Sequence, residues 1–331
     1  MAPEDHAIVV GIRIYPGMSS LQGPCNDAEA FRAWLSRPDG GNVKAAKIRF
    51  LVTDQFPPPT GVANARPLAD EIHALFRPLV SKGAIDGRQG RRLYIYMAGH
   101  GFSDPQDMDT AALYAANAQL TFPLHVVGTA YAEWFRRQAT FDEIVLIMDC
   151  CRATTPMNEI VPPQLPTLSG SAQAKNVRTF YAYATCWSGV ARERRFSGAV
   201  RGIFTHALLD AFDNALPGHA QRVTGTAISD YVHNSHYFVN PPDIKLNPIK
   251  DVVFAVRQRA ATLQVRLRVN PFEGGEHVVV TDTDGTVVFE AGPLTTDTVT
   301  VDEPAGFYKA AVKGTSRSTL FEIPKDHETT V

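Results

Sequence analysis

The stretch Glu143-Ile-Val-Leu-Ile-Met-Asp-Cys-Cys-Arg152 decides how this chain is read. Its apolar run, Ile144 to Met148, has no polar alternation, which marks a strand buried on both faces. It ends abruptly in an acid, two thiols and a base. A second stretch, Arg91-Arg-Leu-Tyr-Ile-Tyr-Met-Ala-Gly-His-Gly101, has the same shape and ends in a histidine between two glycines. In an open α/β sheet, chemistry sits just beyond the carboxyl ends of such strands. A cysteine and a histidine are each delivered to a strand end.

Outward from these two strands the pattern alternates. His6 to Ile12 and Lys47 to Thr53 read as strands. Asn26 or Asp27 can cap a helix running through Phe31 and Leu35, because their side chains accept the free N–H groups of a first turn. Leu68, Ile72, Leu75, Phe76 and Leu79 recur at helical spacing, for a helix to about Val80. Ala111 to Ala115 reads as a short strand and Thr129 to Gln138 as a helix. Thr154 to Asn176, rich in Pro, reads as a functional loop. Val177 to Thr185 is a strand, Phe204 to Phe212 and Ala227 to Tyr231 are helices, and Lys250 to Val256 is a last strand. The expectation is an α/β three-layer sandwich around a mostly parallel sheet, over residues 1–257. From Ala261 the strands alternate polar and apolar and a turn signal stands at Asp284-Gly285, so residues 258–331 are expected to form a small all-β, immunoglobulin-like sandwich domain.

Composition narrows the function. The net charge of −2 without a basic stripe does not suggest nucleic-acid binding. No apolar segment is long enough to span a membrane, and the polar start leads straight into a strand without a secretory signal. Four cysteines, two of them adjacent, do not read as a disulfide framework and fit a reducing cytoplasm.

The histidine of Gly99-His100-Gly101, followed about 50 residues later by Asp149-Cys150-Cys151, resembles the paired motif of caspase-fold cysteine peptidases. The match is closer to the metacaspase and bacterial caspase-like branch, although that branch continues His-Ser-Gly where this chain has Arg152-Ala153-Thr154. The resemblance implies a catalytic dyad of His100 and Cys151, with the backbone N–H groups of Gly101 and Cys151 as an oxyanion hole. Strand alternation agrees in placing Asp149 and Cys151 on one face and Cys150 on the other. The resemblance also implies that Asp149 and Asp27 line the primary specificity pocket, which favours cleavage after Arg over Lys, in regulatory proteolysis. Trp187 and Ser188 would border the substrate groove. Each residue has a plainer reading: a buried structural Cys or His, a turn glycine at Gly101, a helix cap at Asp27, a core position at Trp187.

No cofactor is expected, and no metal ligand set is assigned. Calcium activates many metacaspases, but Asp104, Asp107 and Asp109 read as an ordinary polar loop rather than a calcium loop. Substrates are expected to be proteins or peptides, with the β-domain recruiting a protein partner. The rival reading is a catalytically weak caspase-like scaffold acting through that domain. A nucleotide-binding fold is disfavoured, since no Gly-x-Gly-x-x-Gly follows the first strand.

Overall fold

The computed structural model describes residues 4–154, 160–217, 221–238, 242–246, 251–256, 263–283, 285–303 and 306–323. The chain divides into two compact units, Met1–Pro217 with Arg222–Ala255, and Gly218–Gln221 with Val256–Val331.

The larger unit starts with β1 (His6–Gly11), α1 (Pro24–Ser36), β2 (Ile48–Val52), α2 (Ala69–Asp86) and β3 (Gly90–Ala98). A small antiparallel sheet follows, made of β4 (Gly101–Phe102), β5 (Ala112–Tyr114) and β6 (His125–Val127). Then come α3 (Gly128–Gln138), β7 (Phe141–Asp149), β8 (Arg178–Tyr183) and a hairpin of β9 (Glu193–Phe196) and β10 (Ala199–Gly202). The series ends with α4 (Ile203–Asn214), β11 (Arg222–Thr224), α5 (Gly225–His233), β12 (Asp243–Leu246) and β13 (Val253–Val256).

The central sheet has the order β12-β8-β7-β3-β1-β2, parallel except for β12. Its two faces carry separate cores. Ile8, Val10, Leu93, Ile95, Met97, Ile144, Leu146 and Met148 pack under α2 and α3. Ala7, Val9, Tyr94, Tyr96, Val145 and Ile147 pack under α1, α4 and α5. The strict alternation explains why the runs contain no polar residue: every position faces one core or the other. Trp34 stacks on Phe212 at 4.2 Å between ring centroids, joining α1 to α4. Two arginines at the start of β3 are accommodated by an ionic cluster. Fully buried Arg92 donates to Glu143 at 2.6 Å and to the Tyr94 hydroxyl at 2.8 Å.

Several elements differ from expectation. Neither Asn26 nor Asp27 caps α1. The helix starts after Gly23 with Pro24 in its first turn, a position where the missing N–H costs nothing. The Asn26 side chain instead donates to the carbonyls of Gln22 and Val200. Helix α2 runs six residues past Val80, carrying Pro78 inside it, and stops at Gly87, whose φ is +74°. The edge strand β12 and the β9–β10 hairpin have no counterpart in the sequence reading, while β13 pairs with β11 outside the main sheet. The described part of the Pro-rich loop lies along α3: Trp134 Nε1 donates to the Pro166 carbonyl at 3.0 Å, and Ser171 N to that of Arg137 at 2.8 Å.

The smaller unit holds β14 (Leu263–Arg268), β15 (Val278–Thr281), β16 (Val287–Ala291), β17 (Thr298–Glu303), β18 (Gly306–Val312) and β19 (Ser318–Ile323). β14 pairs with β17, and the others form an antiparallel sheet in the order β16-β15-β18-β19. Val278, Val280, Val299, Val301, Tyr308 and Ile323 are buried at its centre. Asp284 of the expected turn lies outside the described residues; Gly285 beside it has φ +76°. Among the described residues, no helix is long and apolar enough to cross a membrane.

Candidate active site

β3 and β7 run in parallel with Ala98 opposite Asp149, so His100 and Cys151 each stand two residues beyond paired positions. The ladder closes with Gly99 N donating to the Asp149 carbonyl at 3.2 Å. Gly99 has φ +153°, and a side chain there would run into the Tyr15 hydroxyl. That buried tyrosine accepts from the His100 backbone N–H at 3.1 Å, and its ring packs 4.9 Å from the imidazole. The imidazole Nε2 lies 2.7 Å from the Ser19 carbonyl. A carbonyl only accepts, so Nε2 carries the proton and Nδ1 of the neutral ring is left as the basic nitrogen. Tyr15 and Ser19, both in the loop after β1, thus orient His100. The sequence reading did not identify either residue.

The two thiols go to different places. Cys150 is 1% exposed and belongs to the core under α2 and α3. Cys151 is half-buried, with its Sγ 3.9 Å from the Ala191 carbonyl. Burial pushes both thiols above the ordinary range, Cys150 far more than Cys151. Among the described residues, Cys151 and His100 make no direct hydrogen bond. Gly101 is a glycine of close approach: a Cβ there would come within 2.5 Å of Cys150 Sγ and of the Ala112 carbonyl. Arg152 is fully buried and turned away from Asp149. It donates to Ser103 Oγ at 3.2 Å and Asp243 at 2.8 Å, and its guanidinium stands 4.3 Å over the Tyr183 ring.

Asp27 and Asp149 come together on the α1–α4 side, around Gly202. A methyl on Gly202 would clash with Asp149 Oδ2 and lie 3.1 Å from Asp27 Oδ2. Both acids are buried, at 1% and 7% exposed. Asp27 accepts from Gly202 N at 2.6 Å and from Arg201 Nε at 2.5 Å. Asp149 accepts from the backbone N–H of Thr205 at 3.2 Å and its hydroxyl at 2.5 Å, at the positive end of α4. Burial raises both carboxyls above the ordinary range. The charge of Asp149 adds to this at Asp27, and that of Glu193 adds at Asp149. Donation from Gly202 and Arg201 to Asp27, and from Thr205 to Asp149, works the other way. Glu193 itself accepts from the backbone N–H groups of Gln22 and Gly23, the latter at 2.9 Å.

Glu193, Arg201, Gly202 and Thr205 were absent from the sequence reading. The usable signal was Ser197-Gly198, a turn dipeptide between β-forming residues, with φ of +46° and +92° in the structure. Ser188, at φ +65°, and Gly189 bracket Arg152: Ser188 N donates to the Arg152 carbonyl and Arg152 N to that of Gly189, both at 3.0 Å. Trp187 is partly exposed and its Nε1 donates to the Asp104 carbonyl at 3.2 Å, placing the indole on the loop after β4. Two acids of that loop bond locally and the third reaches β12. Asp104 accepts from Gln106 N, Asp107 from Asp109 N and Thr110, and Asp109 pairs with Lys245. Among the described residues, no three His, Cys, Asp or Glu side chains converge as metal ligands.

A family model described as the caspase domain of a peptidase family matches residues 4–245. No curated protein matches the chain.

Proposed function

Because the chain belongs to the caspase-domain family of cysteine peptidases, we propose that it is an endopeptidase that cuts after Arg, and less readily after Lys, through a Cys151–His100 dyad. The observation that carries the specificity is the convergence of Asp27 and Asp149 at Gly202, at the end of the strand that also delivers Cys151. Two buried carboxylates repel each other, and a guanidinium between them relieves that repulsion with bidentate bonds that an ammonium cannot match.

In this mechanism Nδ1 of His100 takes the Cys151 proton as the sulfur attacks the scissile carbonyl. The N–H groups of Gly101 and Cys151 receive the developing oxyanion, and the imidazolium returns the proton to the leaving amine. Water then cleaves the thioester by the same route in reverse. The raised Cys151 thiol fits proton transfer on substrate binding rather than a resident thiolate. The β unit offers no catalytic candidate, and we read it as a docking module for a protein partner.

The test is a set of fluorogenic peptides differing only in the residue before the scissile bond. The reading requires Arg above Lys and nothing after Asp, with Asp149→Asn removing the preference. Preference for Asp would overturn the pocket. Failure of an irreversible thiol-directed peptide to label Cys151 would favour the scaffold reading.

A further inference from the structure

The acidic pocket already contains a cation. Arg201 sits on β10, with its Nε on Asp27 Oδ1, and its side chain is only 18% exposed. Its Nη2 is buried and has no hydrogen-bond partner among the described residues. The guanidinium therefore uses one of its donors on a carboxylate and leaves another enclosed without an acceptor. This is a poor arrangement for a purely structural ion pair, because a buried charged donor left without an acceptor costs more than a neutral one. Around it stand Asp27 and, within electrostatic reach, Asp149, together with the Tyr96 ring and His206.

Among the described residues, the ribbon that carries Arg201 pairs only with itself. β9 and β10 form a two-stranded sheet apart from the central one, and its tip, Ser197 to Ala199, is exposed. Its attachment on the α1 side is polar: Asn26 Nδ2 on the Val200 carbonyl at 2.9 Å, and Glu193 on Gln22 N and Gly23 N. On the α4 side Phe196 stacks on His206 at 3.8 Å, so displacing Arg201 calls for its side chain to turn out while the ribbon keeps this anchor.

Building on the proposed pocket, we propose that Arg201 is its resident cation, an internal stand-in for the substrate's basic side chain that a substrate arginine must displace in order to bind. The chemistry selects the competitor. A guanidinium can take over both carboxylates with bidentate geometry, an ammonium replaces Arg201 less well, and a neutral side chain gains nothing by entering. Displacement lowers apparent affinity by the fraction of molecules with Arg201 out of the pocket. The penalty falls on Arg and Lys substrates alike, so the resident arginine sets the affinity a basic side chain must reach in order to enter.

The test compares the full-length protein with Arg201→Gln on matched peptides bearing Arg or norleucine before the scissile bond. The expected result is a KM for the Arg peptide lowered about tenfold with kcat little changed, and an unchanged norleucine peptide. Millimolar guanidinium should then inhibit the variant competitively while leaving the parent untouched. If Arg201→Gln leaves or raises the KM of the Arg peptide while Asp149→Asn still abolishes the Arg preference, Arg201 is structural and the occupant idea is overturned with the pocket intact. If the parent shows no Arg preference, the pocket reading itself has failed. Should Arg201→Gln not fold, Arg201→Lys keeps the charge but loses the Nε contact. An intermediate fall in KM supports displacement, and an unchanged KM overturns it.

Discussion

In the proposed pocket the acidic pair makes the expected Arg preference a function of pH, and the size of the effect follows from the site. Burial, with the charge of Asp149 added, holds the Asp27 carboxyl up at about 7, and burial, with the charge of Glu193 added, holds the Asp149 carboxyl at about 6, above the ordinary 3.8. In the proposed pocket a substrate guanidinium binds the ionised pair, so each group loses about tenfold of its ionised fraction per pH unit below its pKa. At pH 5 the Asp149 carboxyl alone costs about tenfold relative to pH 8, and Asp27 deepens the loss. The assay is the ratio of kcat/KM for the Arg peptide to that for the norleucine peptide, because pH effects on the bond-breaking steps common to both peptides cancel in the ratio. It should fall at least about tenfold between pH 8 and pH 5, and Asp149→Asn should flatten it. The same protons act on stability with the opposite preference. Both folded-state values exceed the unfolded one, so the pair's contribution is complete at low pH and is lost as pH rises through 6 and 7. Relative to the parent, Asp149→Asn should therefore gain stability toward pH 8 in urea titrations. A ratio that is level from pH 5 to 8 would refute the claim that these carboxylates receive the substrate's charge.

Three further outcomes are expected. Cys151→Ala should abolish cleavage with the fold intact, whereas Cys150→Ala should keep activity and lose about 1 kcal/mol in urea unfolding from the small cavity left; equal and total loss in two folded variants would sink the assignment. Gly101→Ala pushes a methyl to 2.5 Å from Cys150 Sγ and the Ala112 carbonyl, so β4 must shift by about 1 Å and kcat should drop about 100-fold; a wild-type kcat would remove Gly101 from the oxyanion site. A chain ending at Ala255 should still cleave a short peptide, and a folded but inactive product would show that the β unit contributes to catalysis.

The two central strands were readable because burial on both faces forbids polar residues, and because glycine is the only residue that fits beside His100. The α1 cap was misread for a physical reason: Asp27 has the chemistry of a cap, but Pro24 had already set the first turn, leaving its carboxylate for Gly202 and Arg201. The hairpin escaped because its ladder is local and half exposed, with arginines where a core strand would carry valines. β12 escaped because four residues between Pro-bearing segments give too short a run to show a period. Ser19 left no trace at all, since its backbone carbonyl orients His100 and any residue could supply one.

That last point bears on how the site is built. Four consecutive residues at the end of β7 face four different environments. Asp149 meets the first turn of α4, Cys150 enters the core beneath α2 and α3, Cys151 meets the Ala191 carbonyl, and Arg152 is clamped by Ser103 and Asp243. A close-packed interior transmits displacement rather than absorbing it. Enlarging Cys150 would press on Gly101 from one side, and freeing Arg152 would release the Ser188–Gly189 bridge on the other. Cys151, the proposed nucleophile, is thus positioned by its neighbours in sequence more than by any bond of its own. In the proposed mechanism, this packing is what holds a thiol without a hydrogen bond to His100 for attack on the substrate carbonyl.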